Sequence, residues 1–98
     1  VAGPTVMGHI HPALAMMDHV GGKVKVHCFL HDPERDFLIL PAMSIVASGV
    51  DVVHQESADS MSPLLGDVGL GPFRPLVATG NQVLRFPSVS RMREAEEV

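Results

Sequence analysis

Between Lys23 and Leu30 the chain alternates strictly. Lys23, Lys25, His27 and Phe29 fall on one side of an extended segment, and Val24, Val26, Cys28 and Leu30 fall on the other. A period of two is the mark of a half-buried β-strand. The next residues, Asp32-Pro33-Glu34-Arg35-Asp36, have the composition of a turn. Phe37-Leu38-Ile39-Leu40 then reads as a returning strand, apolar enough to be covered on both faces. Residues 23–40 are therefore expected to form a hairpin.

The rest of the chain is cut into equally short pieces. Ala13–Met17 is apolar and ends before the Gly21-Gly22 break, which makes it a strand or a single helical turn. Ile45–Val53 is small and apolar, with a break at Gly49. Ser57–Gly71 is polar, then Gly-rich, and reads as a surface loop. Pro75–Ala78 and Val83–Phe86 flank Thr79-Gly80-Asn81-Gln82, the pattern of a second hairpin. Helix signals are scarce, and Arg91–Val98 reads as a charged tail that frays. The expected organisation is one domain over residues 1–90 followed by a tail over 91–98. The first residue is Val rather than Met, which points to a processed chain or a fragment.

The chain has 98 residues, enough for one small domain. Its hydrophobic fraction of 46% supports a packed core, and an aromatic fraction of 4% means that the core is built from aliphatic side chains. No apolar run reaches the length of a membrane span and no secretory signal opens the chain. A net charge of −4 argues against nonspecific binding of nucleic acid. The lone Cys28 has no intramolecular disulfide partner, which suits a cytoplasmic location, and it reads as a small buried hydrophobe.

Gly8-His9-Ile10-His11-Pro12 is the candidate functional motif. Neutral imidazole nitrogens are good ligands for divalent transition metals. One intervening residue in an extended segment places both rings on the same side. Gly8 is expected to bend the backbone in a way that a β-branched residue cannot. By spacing alone, two partly exposed loop histidines account for the pair better than a metal site does. Asp18, His19, His27, His31 and His54 read as ordinary residues: solvated before the Gly-Gly break, on a polar strand face, opening a turn and at the surface, respectively.

In context, Gly-His-x-His after a strand resembles the closing motif of the calcineurin-like metallophosphoesterases. Gly8-His9-Ile10-His11-Pro12-Ala13 resembles the ICC-like subgroup in particular, which includes the DNA-ligase-associated phosphoesterases. Cys28-Phe29-Leu30, Leu40-Pro41-Ala42, the small-residue stretch before Gly49-Val50-Asp51-Val52 and Ser62-Pro63-Leu64-Leu65 are similar as well, and occur in the family's order. Met43 departs from the aromatic residue common there. The resemblance covers roughly the first two thirds of the chain. It implies an α+β fold: the C-terminal half of a β-sandwich flanked by helices, with this segment mostly β. It implies hydrolysis of a phosphoester substrate at two divalent metal ions, manganese foremost, with zinc, iron or nickel as alternatives. His9 would ligate one metal and His11 the other.

The family's other ligand motifs do not occur in these 98 residues. Gly66-Asp67-Val68-Gly69-Leu70 and Gly80-Asn81-Gln82 begin like two of them but lack their final ligand, and both follow the closing motif instead of preceding it. The chain is accordingly expected to be inactive alone. Either a second chain supplies the N-terminal half and completes the site, or the chain is an inactive remnant or a truncated product; exposed apolar surface would promote self-association. Two other classes compete. Gly3, His9 and His11 match the opening of the motif of the cupins, single-metal β-barrels, but no Glu follows at the required distance. A β-rich interaction module with an incidental His pair is the third.

Overall fold

The computed structural model describes residues 4–8, 10–17, 20–42, 49–54 and 69–96. His9, Asp18, His19, Met43 and the Ser62–Leu65 segment lie outside these residues. So do Gly66, Asp67 and Val68. The described chain is α+β and mostly β. Its elements are β1 (Thr5–Met7), β2 (Pro12–Met17), β3 (Lys23–His27), β4 (Phe29–Asp32), β5 (Phe37–Ile39), β6 (Val50–Asp51), β7 (Arg74–Thr79), β8 (Gln82–Arg85) and one helix, α1 (Val89–Glu96). They form a five-stranded sheet in the order β1-β5-β4-β7-β8 and a three-stranded sheet in the order β3-β2-β6.

The alternating segment from Lys23 to Leu30 is not one strand of one hairpin. β3 pairs antiparallel with β2, Leu14 opposite Val26 and Met16 opposite Val24. β4 pairs with β5 and β7 in the other sheet. The chain changes sheets at Cys28, whose amide donates to the Pro12 carbonyl at 3.1 Å. The hairpin expected over 23–40 is thus confined to β4 and β5, with Leu30 opposite Ile39 and Asp32 opposite Phe37. Sequence periodicity reports which side of the chain is apolar. It carries no information about which sheet receives it.

The inward side of this crossing is the core. Cys28, Leu30, Phe37, Ile39, Leu14, Ile10, Val52, Leu70, Phe73 and Val89 are all buried in one cluster. Phe37 and Phe73 meet edge to face at 5.5 Å. The Arg35 guanidinium lies over both rings, 5.9 and 5.2 Å from their centroids. Its Nε bonds to the buried carboxylate of Asp32, which also accepts the amides of Glu34 and Arg35. Burial pushes the Asp32 carboxyl up. The Arg35 hydrogen bond, the two amides and the Arg35 charge outweigh it, so the group sits below the usual carboxylate range.

Three expectations need correction. Phe37–Leu40 is not covered on both faces: Phe37 and Ile39 are buried, whereas Leu38 and Leu40 are half-buried. Leu70, placed in a surface loop, is fully buried. Residues 91–96, read as a fraying tail, belong to α1. Ser88 caps that helix, its hydroxyl accepting the Arg91 amide at 3.3 Å. Val89 anchors it in the core, and Arg93 donates to the carbonyls of Val52 and Val53. Among the described residues no helix is long and apolar enough to cross a membrane.

Candidate metal-ligating site

Of the two candidate ligands, the structure describes His11. It lies where the chain leaves the five-stranded sheet after β1 and enters the three-stranded sheet at β2. Ile10 beside it is fully buried, so the turn is fastened to the core. The His11 carbonyl accepts the Val50 amide at 2.9 Å, and the Ala13 carbonyl accepts the Val52 amide at 3.1 Å. These bonds tie the start of β2 to the parallel strand β6.

The bend is made differently from expectation. His11 itself has φ of 56°, in the left-handed region. Gly8 is not among the residues with positive φ, and a Cβ added there would meet nothing within 4 Å. Histidine enters the left-handed region more readily than most side chains. Pro12 also biases the preceding residue away from the right-handed helical region. The motif's turn therefore rests on the His-Pro pair, and Gly8 is an exposed position that tolerates a side chain.

The His11 ring is half-buried, and no hydrogen bond or ion pair engages it among the described residues. Among these residues its nitrogen lone pair is not committed to holding the fold, as a ligand requires. Among the described residues no three of His, Cys, Asp and Glu come together to hold a metal ion. They supply one candidate ligand and no coordination shell.

The other chemically capable side chains are accounted for by the fold. Cys28 is fully buried, and burial, aided by the nearby Asp51 charge, pushes its thiol up to about 12; it remains a protonated, unreactive core residue. His27 is half-buried on β3. His31, expected to open a turn, stands within β4 opposite Leu38 and Arg74. His54 is exposed, as expected, but it has partners that the sequence did not reveal. Its Nδ1 lies 2.7 Å from the Asp51 carboxylate, and its Nε2 lies 3.4 Å from Glu96 on α1. Asp51 also accepts the amides of Val53 and His54, forming a local side-chain turn. The spacing of three between Asp51 and His54 was the available signal, and Glu96 is too distant in sequence to have been paired with them.

Compared with known proteins, the chain matches no family model, and no curated protein or solved structure is significantly similar to it.

Proposed function

We propose that this chain is the C-terminal part of a metal-dependent phosphoesterase of the calcineurin-like type, with His9 and His11 as its share of a two-metal site. The observation that carries this reading is the position of His11. It is a half-buried imidazole with no hydrogen-bond or ion-pair partner among the described residues, at the passage between two sheets, within a segment order resembling the ICC-like proteins. The parallel pairs β1–β5 and β2–β6 favour this over the cupin alternative, an antiparallel architecture. When bound in a complete site of this type, two divalent ions supply Lewis-acid chemistry toward a phosphoryl group. The contribution of His11 is to present its ring from a backbone that packing holds in place.

Calorimetric titration with manganese tests the proposal. The chain is expected to bind the ion weakly, and His9→Ala and His11→Ala should each weaken binding further while leaving the fold intact. Hydrolysis of a nitrophenyl phosphodiester by the chain alone should be negligible. Undiminished binding in both variants rejects the two histidines as ligands. Steady hydrolysis that disappears in His9→Ala rejects the claim of incompleteness.

A further inference from the structure

The outward side of the five-stranded sheet carries a second feature, made of residues that take no part in the metal reading. Strand register lays out two cross-strand rows there. The first runs Val6, Leu38, His31, Arg74 across four strands, and the second runs Phe29, Leu76, Arg85 across three. Between and beside these rows is a depression of about 590 Å³, lined by His31, Leu38, Arg74, Leu76, Val83 and Arg85. Its size falls in the range of small-molecule sites, and its character is divided. The floor is aliphatic, whereas the rim carries two guanidinium groups and an imidazole.

The rim is unbalanced in charge. Among the described residues no carboxylate lines the depression, although the chain as a whole has a net charge of −4. Arg74 also borders a smaller hollow that includes Asp32 and Glu34. The Asp32 carboxylate is taken by Arg35, however, and neither Arg74 nor Arg85 forms an ion pair among the described residues. Two unpaired guanidinium forks on one sheet face match the geometry of a phosphate group, and the imidazole supplies a further donor. A free inorganic anion would leave the Leu38, Leu76 and Val83 surface wet. A purely apolar molecule would leave the arginines unused.

We propose that this depression binds a phosphomonoester carried on a short apolar body, the phosphate between Arg74, Arg85 and His31 and the body on the leucines and Val83. The test is amide NMR of the full chain, titrated separately with hexyl phosphate, hexanoate, hexanol and inorganic phosphate. Hexyl phosphate should shift amides in β4, β5, β7 and β8 and bind at least about tenfold more tightly than the other three. Arg74→Ala/Arg85→Ala should lose about tenfold or more of that affinity, and its spectrum reports whether the fold persists. Arg74→Lys/Arg85→Lys keeps the charge without the fork and should fall between. The proposal fails if hexanol or hexanoate binds as tightly as hexyl phosphate. It fails equally if both double variants keep the native affinity, or if the shifts map away from this face.

Discussion

Gly8 and Gly49 look equivalent in the sequence, each a small residue beside an apolar strand, yet they are held to opposite standards. A Cβ at Gly49 would lie 2.6 Å from the Cβ of fully buried Ala13. Parallel strand β6 approaches β2 that closely only because position 49 has no side chain. Gly49→Ala is therefore expected to cost about 1–3 kcal/mol through overpacking, with Ala13→Gly restoring part of the loss. Gly8→Ala and Gly8→Val should be nearly neutral. Denaturant midpoints of the four variants check this, and equal losses at the two glycines would contradict it. The sequence marked Gly49 as a break and Gly8 as a bend. It did not show which of them another strand touches, because Ala13 and Gly49 are brought together only by the fold.

His54 makes a second statement at this scale. The Asp51 hydrogen bond raises its pKa above the ordinary histidine value of 6.5, with smaller help from the Asp51 charge and from Glu96, against a lowering by burial. A raised folded value means that the charged form favours the folded state. The contribution is complete below 6.5 and is lost as pH rises through the higher folded value. His54 and Glu96 are exposed, so solvent screens the charges and the effect on stability is small. It should be read directly as an NMR titration midpoint above 6.5 that returns toward the ordinary value in Asp51→Asn.

At the scale of elements, the strands were legible and their partners only partly so. Phe37–Ile39 and the Gly80-Asn81 hairpin follow from apolar runs and turn residues, and Gly80 has the positive φ, 50°, that its turn uses. The change of sheet at Cys28 was hidden, because the alternation continues through it without a break. Helix α1 was missed for a different reason. Its exposed residues Arg91, Glu94, Ala95 and Glu96 resemble a solvated tail, and acidic residues in a last turn oppose the helix dipole. What holds it is tertiary: buried Val89, the Ser88 cap, and Arg93 reaching the carbonyls of Val52 and Val53 at 2.9 and 3.2 Å. Arg93→Ala is expected to cost about 1–2 kcal/mol and to fray α1, since both carbonyls lose a charged donor. A fall in thermal midpoint together with loss of helical circular dichroism would report this. An unchanged helical signal would show that Val89 and Ser88 suffice.

Considered whole, the molecule covers only part of its apolar surface. In the β2–β3 hairpin, Leu14 and Val26 face the core, and the next cross-strand pair on the same face is Met16 and Val24. That pair is exposed by 37% and 45%, and Val20 near the turn by 91%. The hairpin thus carries its apolar face beyond the elements that pack on it. Among the described residues β1 and β8 stand at the two ends of the five-stranded sheet, where Val6 and Val83 are 63% and 56% exposed. Contiguous apolar surface and open strand edges favour association between copies. Sedimentation across micromolar concentrations should therefore show concentration-dependent assembly. Met16→Lys/Val24→Lys should reduce that assembly if the hairpin overhang drives it, because each lysine charges the uncovered face without entering the core. Mutation of the β8 edge at Val83 is the control: a larger effect there would move the contact to the five-stranded sheet. A compact monomer at every concentration would mean that the uncovered hairpin is tolerated by the isolated chain, and self-association would then be discarded.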